Sequence, residues 1–226
     1  MFRNYLIVAV RNLVRHKVYS FINIAGLAIG MACFFLIFCF VRFESSYDRH
    51  HEDADRIYRV IRQVRYEPGG GIEERVNTGA PLLPIIRAEL PGIEHAARLG
   101  QFGGLVRAGD KLFVEGRLFF ADPEILRVFT LFLIQGDPET ALKEPFSIVL
   151  TPERARKYFG EEDPLGKVLT YSKQDFKVTG VLQEMRENSH FHADFIASFE
   201  SLKAFYGSEF FADNLGYAHL DLSETA

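Results

Sequence analysis

The feature that most constrains this chain is an uncharged apolar run from Val18 to Val41, "VYSFINIAGLAIGMACFFLIFCFV". A helix of this length, at about 1.5 Å per residue, is long enough to cross a hydrocarbon core of about 30 Å with some tilt. A cleaved signal peptide usually has a shorter apolar region that ends in small residues. Here the small residues come first and four phenylalanines come last. The sequence therefore predicts a retained transmembrane helix over residues 18–41.

The charges beside this run predict its orientation. Residues 1–43 contain five Lys or Arg and no acidic residue, and four of the five precede the run. The positive-inside rule then places the N-terminus in the cytoplasm and residues 42–226 across the membrane. Residues 1–17 combine these basic residues with apolar ones, which is typical of an amphipathic helix lying on the lipid surface. A straight continuation of the transmembrane helix is the alternative.

The rest of the chain is acidic. The other 21 Lys and Arg stand against all 30 Asp and Glu in residues 44–226, a formal net charge of −9. Nucleic-acid binding needs a basic face, so we expect no nucleic-acid partner. Both cysteines, Cys33 and Cys39, lie inside the apolar run, so the acidic region has no disulfide framework.

Short alternating elements predict an α+β fold for this region. A strand is expected in "RIYRVIRQVRYE", with Tyr58, Val60, Val64 and Tyr66 on one face, followed by a turn at 67–71 and an antiparallel return in "IEERVNT". "APLLPIIRAELPG" predicts a helix. Further strands are expected at 94–101, 104–108 and 112–120, the last two joined by the turn "AGDK".

Two later segments carry helix-start signals. In "ADPEILRVF" and "LTPERARKYFG" a capping residue, Asp122 or Thr151, precedes a proline, and Gly160 follows the second helix. Strands are expected in "KVLTY", "DFKVTGVLQE" and "FHADFIASF".

Two histidine-containing segments offer possible metal ligands. His50 and His51 lie among four acidic residues, and a strand would place His190, His192 and Asp194 on one face. Residues of this kind are more often hydrogen-bonding surface groups, and our prediction is that neither segment binds a metal. The acidic neighbours of His50 and His51 are Asp48, Glu52, Asp53 and Asp55.

The sequence also lacks a nucleotide-binding or catalytic pattern. "GEEDPLGK" resembles a phosphate-binding loop, but five residues separate its glycines and Val168 follows Lys167 where Ser or Thr is required. No GxSxG nucleophile motif occurs. We therefore predict no catalytic residue, no cofactor-binding residue and no enzymatic activity.

Several stretches together resemble, in the same order, permease subunits of MacB/FtsX-type ABC transporters that carry a MacB-like periplasmic core domain. They are "NYLIVAVRNLVRHKVYSFINIAGLAIGMACFFLI", "ESSYDRHHEDADRIYRV", "GDKLFVEGRLFFADPEILRVF", "SIVLTPERARKYFGEEDPLGKVL" and "FKVTGVLQEMRENSHFHADFIASF". The resemblance implies a bacterial inner-membrane protein with residues 42–226 in the periplasm. It further implies a porter-like part at 44–105 and 190–226, with a small β-rich insert at about 106–189.

The resemblance also implies partners and a mechanism. Family permeases form dimers, work with ABC-type ATPase subunits, and relay ATP-driven closure to their periplasmic domains, which is called mechanotransmission. Members serve efflux or lipoprotein release, so a periplasmic adaptor or lipoprotein is a further expected partner. This chain lacks the later transmembrane helices of the family, and its periplasmic domain is expected to be incomplete at the C-terminus.

Other functions stay open at this stage. A membrane-anchored periplasmic sensor or ligand-binding module needs only one transmembrane helix and one domain. A metal-dependent hydrolase would rest on the histidines alone. In the resembled family an aromatic residue commonly occupies the place of His50, which favours a mechanical role for "YDRHHEDADRIYRV". On that interpretation Asp53 or Asp55 starts a helical turn, and Ile57, Tyr58 and Val60 insert into the domain core.

Overall fold

In a computed structural model of the chain, residues 2–65 and 71–213 are described, and they form two compact units. The first unit, Met1–Asp48, contains helices α1 (Phe2–Arg15) and α2 (Lys17–Glu44). The predicted transmembrane segment 18–41 lies inside α2, which is long and apolar enough to cross a membrane and buries none of its most apolar stretch. The backbone departs from helical geometry at His16, between the two helices.

The second unit, Arg49–Ala226, is the α+β part of the chain. Its regular elements follow one another closely along the sequence. They are a 3₁₀ turn at Ala54–Arg56, β1 (Arg62–Arg65), β2 (Ile72–Arg75), α3 (Leu82–Glu89), β3 (Leu99–Ala108), β4 (Lys111–Ala121), α4 (Ile125–Val128), β5 (Leu133–Gly136), β6 (Ser147–Leu150), α5 (Pro152–Phe159), β7 (Val168–Tyr171), β8 (Gln174–Leu182), β9 (Phe195–Ser198), a 3₁₀ turn at Phe199–Ser201, and α6 (Leu202–Asp213).

Seven of the strands form one sheet, and six of them close into a barrel. The strand order is β5-β8-β6-β9-β4-β3-β7, and β7 pairs back onto β8. The pairs β4–β9 and β6–β8 are parallel, and the others are antiparallel. Closure removes the exposed edges that an open sheet would present. Strand β5 joins the outer edge of β8 beyond the closed ring.

The barrel interior is filled by apolar side chains that alternate along the strands. Phe120 lies at its centre, with ring contacts to Phe102, Phe176 and Phe205. A second apolar cluster covers the outside of the barrel beside α4 and includes Phe119, Val149 and Ile196. Burial of each large apolar side chain contributes about 1.5–3 kcal/mol, so these two clusters account for the stability of the unit. The buried interior residues on the strands are Val106, Leu118, Phe120, Ile148, Leu150, Leu169, Tyr171, Phe176, Val178, Phe195 and Ala197.

A β-bulge on β4 changes which side chains point inward. Phe102 of β3 pairs with Leu118, whereas Gly104 pairs with Glu115. Between these two pairs β4 contains one more residue than β3. Leu118 and Glu115 are therefore both buried on the same side of the sheet. A Cβ on the intervening Gly103 would lie 3.1 Å from the Glu115 carbonyl oxygen, so a side chain there would crowd the β4 backbone.

Several predictions from the sequence are confirmed. The α+β class is correct, β1 and β2 pair antiparallel, and Gly109 and Asp110 turn between β3 and β4. The Thr151 side chain caps α5 by accepting from the Arg154 backbone N–H, and Gly160 ends the helix with a positive φ of 69°. A 3₁₀ turn follows Asp53. Residues 66–70, with Tyr66 and most of the predicted turn at 67–71, lie outside the described residues.

Other predictions are wrong. Strand β1 begins only at Arg62, and no strand precedes Leu99 in residues 94–98. The Asp122 carboxylate does not cap α4 but binds the Arg98 guanidinium and backbone N–H. The division into a porter-like part and an insert at about 106–189 remains a prediction, and strands from both parts share the barrel sheet.

Candidate functional site

The first segment of the second unit is fastened to the barrel. We call residues Arg49–Ile57 the junction, since the first unit ends at Asp48. The His51 ring is buried and lies against Phe129, with 5.5 Å between the ring centroids. The Glu52 backbone N–H donates to Thr130 Oγ1 at 3.1 Å. Phe129 and Thr130 both belong to the loop after α4, so the junction is bound to that loop by an aromatic contact and a hydrogen bond.

A row of ring contacts continues from this point to the barrel wall. His50 lies 4.1 Å from His51, Phe129 lies 4.8 Å from Phe191, and Phe191 lies 5.1 Å from Phe119, measured between centroids. We call these five residues the aromatic row. Phe119 is a residue of β4 on the outer face of the barrel. Aromatic pairs at such distances contribute about 0.5–1.5 kcal/mol beyond their burial. The row therefore joins the junction to the sheet by direct contact.

Exposed ion pairs complete the attachment of the junction. Arg56 Nη2 lies 2.7 Å from Glu94 Oε2, and its Nη1 lies 3.2 Å from Asp53 Oδ1. The hydrogen bond to the Glu94 carboxylate, together with its negative charge, raises the pKa of the Arg56 guanidinium above its ordinary value. Pairs this exposed contribute little to stability, so they orient the junction more than they hold it.

The interpretation of Tyr58 and Val60 as residues inserted in the core is wrong. Tyr58 is 86% exposed and Val60 is 41% exposed. Their segment lies between the 3₁₀ turn and β1, and neither side chain is a member of the two apolar clusters. The contacts that hold the junction come from His51 and Glu52, not from the apolar residues after it.

A second group of contacts is a cluster of charged and polar side chains beneath α5. Its centre is Arg154, whose Nη2 lies 3.1 Å from Asp194 Oδ2 and whose Nη1 lies 3.6 Å from Glu115 Oε2. Glu115 Oε1 also accepts from Lys157 Nζ at 2.6 Å and from the Tyr158 hydroxyl at 2.8 Å. Arg117, the bulge residue of β4, donates to both Asp194 oxygens. We call these six residues the charge cluster.

Two groups of the charge cluster have raised pKa values, Tyr158 and Arg154. Burial, reinforced by the hydrogen bond to Glu115, raises the pKa of the Tyr158 phenol above its ordinary value. For Arg154 burial works to lower the pKa, but the carboxylates of Asp194 and Glu115 outweigh it and raise the pKa. Neither group can exchange a proton near neutral pH, which argues for a structural role rather than general acid–base catalysis.

A further arginine lies at the other end of the barrel. Strands β4 and β9 are parallel and β3 is antiparallel to β4, so β3 begins where β4 and β9 end. Arg98 binds the Asp122 carboxylate through Nε and Nη2 at 2.8 and 2.7 Å and lies 4.0 Å from the Phe199 ring centroid. The chain therefore enters and leaves the barrel at this Arg98 end, and α5 closes the opposite end, where Thr151 N–H donates to the Asp194 carbonyl oxygen.

The structure separates the residues that suggested a metal site. His190 is exposed, His192 is half-buried, and Asp194 is buried in the charge cluster, while residues 190–194 form no strand that would align them. His50 and His51 do lie together, but within the aromatic row. Among the described residues, no three His, Cys, Asp or Glu side chains are grouped closely enough to hold a metal ion.

The sequence did not indicate which residues the two histidine-containing segments contact. Phe191, between the two histidines of "NSHFHADF", contacts Phe129 in the aromatic row. Asp194 of the same segment binds Arg117 and Arg154. A signal for the charge cluster was available, because Glu115 interrupts the apolar strand "KLFVEGRLFF" and a buried carboxylate needs a cation.

Comparison with known proteins places this fold. The family described as the MacB-like periplasmic core domain matches residues 20–216. A domain of a protein described as a permease, from Porphyromonas gingivalis, has 22% identity and a TM-score of 0.55, covering 71% of this chain and 66% of that one. No curated protein matches the chain.

Two further solved structures are similar at lower scores. The periplasmic region of MacB from Actinobacillus actinomycetemcomitans has 18% identity and a TM-score of 0.47, covering 64% of this chain and 65% of that one. The extracellular domain of the noncanonical ABC-type transporter YknZ from Gram-positive bacteria has 18% identity and a TM-score of 0.46, covering 58% and 67%.

The chain thus spans about two thirds of the length of each of these solved structures. The family match, by contrast, covers most of the chain, from within α2 to beyond α6. The chain therefore belongs to the family of MacB-like periplasmic core domains, as the resemblance of its sequence to the N-terminal part of MacB/FtsX-type permeases predicted.

Proposed function

We propose that the chain is the N-terminal part of a permease subunit of an ABC transporter, and that its periplasmic domain moves when a partner ATPase hydrolyses ATP. The observation that carries this proposal is the attachment of the junction. A helix apolar enough to span a membrane is followed directly by a segment that His51 and Glu52 bind to a MacB-like domain. A flexible tether would leave the domain free of the helix, whereas a bound segment can pull on it.

The aromatic row gives this movement a route into the barrel. Because packed side chains are nearly incompressible, a displacement of the junction acts on Phe129, then on Phe191 and on Phe119 in β4. The charge cluster fastens α5 across the far end of the same barrel. The closed ring of strands then responds as one body instead of deforming strand by strand.

The proposal includes a location and partners. The N-terminus lies in the cytoplasm and residues 42–226 in the periplasm, beside the inner membrane of a bacterial cell. The partners are an ABC-type ATPase subunit, a second permease copy, membrane lipid, and a periplasmic adaptor or lipoprotein. The work performed is export, efflux or lipoprotein release, and the chain itself carries no catalytic residue.

Purification from native membranes tests the proposal. We expect an affinity tag on the chain to recover an ABC-type ATPase in mild detergent, and the ATPase rate of that complex to fall when Phe129 is replaced by Ala. The matched control is Phe132→Ala, because Phe132 is 58% exposed and lies only three residues later. Recovery without any ATPase would overturn the proposal.

A membrane-anchored sensor is the second candidate function. The observation that favours it is that the described residues contain one candidate membrane span, followed by one domain. The same purification separates the two functions. A sensor would be recovered without an ATPase, and its thermal unfolding would shift on addition of a small periplasmic ligand.

A further inference from the structure

The outer face of the β3–β4 hairpin presents large apolar side chains to solvent. Leu105 of β3 pairs directly with Val114 of β4, so their side chains lie on one face of the sheet. Leu105 is 55% exposed and Val114 is 77% exposed, and Leu112, two residues from Val114 on the same face, is 44% exposed. Adjacent exposed apolar side chains of this size are typical of a contact surface.

Other parts of the same outer wall are packed. Phe119 lies on the outer face of β4 at the other side of the bulge, and it is buried in the second apolar cluster. One strand therefore has an outer face that is packed at one end and exposed at the other. Strand β7 extends the exposed part with Val168, because Thr170 pairs with Arg107 and Val168 lies two residues before it.

A single arginine lies among these apolar side chains. Arg107 pairs with Leu112 of β4 and with Thr170 of β7, so its side chain shares their face. The barrel strands contain two arginines, and the other one, Arg117, binds Asp194. Within the described part of the chain, the Arg107 guanidinium has no hydrogen bond or ion pair. We call Leu105, Arg107, Leu112 and Val114 the hairpin face.

The charge on the hairpin face indicates the chemistry of its occupant. Arginine among apolar side chains is enriched at the energetic centre of protein interfaces, since its guanidinium binds a carboxylate while its stem packs on apolar atoms. The carboxylate in the same row of the sheet belongs to Asp175 of β8, two strands away, and it accepts from the Thr170 hydroxyl at 2.7 Å. A matching occupant therefore brings its own carboxylate to Arg107.

Two other occupants match this face less well. A second copy docked face to face would place its Arg107 about 10 Å from the first, the spacing of packed sheets, and the like charges would repel. An anionic lipid surface attracts clusters of basic residues. Beside this face, however, the Lys111 ammonium donates to the carbonyl oxygens of Lys157 and Tyr158, and Asp110 is acidic.

We propose that the hairpin face binds a separate protein, through a surface on which an aspartate or glutamate lies among apolar side chains. Arg107 binds that carboxylate, and the three apolar residues of the face supply the packed contact. The inference does not rest on the proposed transport function, since it follows from this face alone.

Photocrosslinking in the native cells tests the proposal. The complete chain carries Val114→p-benzoylphenylalanine, and irradiation should give one adduct with a different protein. We expect Arg107→Glu to lower the yield of this adduct about tenfold, and Arg107→Lys, which keeps the charge, to lower it less. The matched control is Phe132→p-benzoylphenylalanine, at a side chain that is 58% exposed, and its adducts should not change with Arg107→Glu. Circular dichroism should show that both Arg107 variants are folded.

A charge exchange connects the adduct to the proposed contact. Mass spectrometry locates the attachment site on the partner, and the aspartate or glutamate nearest to that site is replaced by arginine. We expect this change to lower the adduct with the original chain and to restore it with the Arg107→Glu chain. The proposal would be overturned by an adduct within the chain itself, with a second copy or with lipid. Absence of an adduct at position 114, or a yield that neither Arg107→Glu nor the exchange alters, would overturn it as well.

Discussion

The rings of Phe129 and Phe191 are stacked, with centroids 4.8 Å apart and 14° between their planes. One follows α4 and the other precedes β9, and they meet between the junction and the wall of the barrel. The contact joins residues far apart in the sequence. Through it, the segment with His50 and His51 and the segment with His190 and His192 both contribute to the aromatic row.

Replacing Phe129 by Ala should lower the free energy of unfolding by about 2 kcal/mol, because it removes ring contacts with both His51 and Phe191. Urea denaturation followed by tyrosine fluorescence measures the change. Phe132→Ala is the control, since Phe132 is 58% exposed three residues later, and it should cost no more than about 0.5 kcal/mol. Equal losses for the two variants would contradict the role given to the aromatic row.

Replacing Arg154 by Ala should lower the free energy of unfolding by about 3–5 kcal/mol, because the buried carboxylates of Glu115 and Asp194 would both lose a cationic partner. Thermal unfolding followed by circular dichroism measures the loss. Arg156→Ala removes an exposed arginine from the same helix and should change little. If the two variants unfolded at the same temperature, the charge cluster would not hold α5.

The stability of the domain should depend on Tyr158 at high pH. The folded-state pKa of this phenol lies above its unfolded value because of burial and the hydrogen bond to Glu115. As the pH rises above about 10, the unfolded chain loses this proton first, so the free energy of unfolding falls. Tyr158→Phe should cost about 1 kcal/mol at neutral pH, and its difference from the original chain should shrink as the pH rises. A constant difference up to pH 11 would contradict this linkage.

Replacing Gly136 by Ala should be strongly destabilising. This glycine has φ of +92°, and an added Cβ would lie 2.3 Å from the Thr179 carbonyl oxygen. The backbone strain alone costs about 1–3 kcal/mol, and the displaced β5–β8 pairing adds to it. Gly116→Ala is the control, because a Cβ there meets no atom within 4 Å. Denaturant midpoints should separate the two variants clearly, and similar midpoints would refute the steric argument.

We expect the histidine pair His50 and His51 to bind no metal and to tolerate replacement of His50. His50→Phe keeps a ring beside His51 and should change the free energy of unfolding by less than about 0.5 kcal/mol. Elemental analysis of the purified chain should find no stoichiometric zinc, and a chelator should leave the unfolding temperature unchanged. A bound metal that disappears in His50→Phe would show that the pair is a ligand site.

The elements of this fold that depend on local chemistry could be predicted from the sequence. Thr151, Pro152 and Gly160 define α5 because capping and φ preferences act within a few residues. The long apolar helix α2 followed from composition alone. The barrel could not be predicted, because its closure depends on β7 pairing with both β3 and β8, and no local pattern records pairings across such distances.

The candidate site was predictable only in part. The segment at 47–60 was singled out from the sequence, but insertion into the core was assigned to Ile57, Tyr58 and Val60, and of these Tyr58 and Val60 are exposed. The bulge in β4 reverses the inward and outward pattern after Arg117, so a strict period of two misplaces Glu115. The partners His51–Phe129 and Arg154–Asp194 join segments far apart in the chain, and single-sequence patterns carry no information on such pairs.

The chain enters and leaves the barrel at one end, so residues 99–198 form a module whose two ends are adjacent. Arg98 contacts the Phe199 ring directly, so the two ends of the module lie within one side chain of each other. Modules with adjacent ends can be lengthened, exchanged or lost while the flanking chain keeps its spacing. In such a protein the barrel is free to diversify toward new tasks, while the helix and the junction stay as they are.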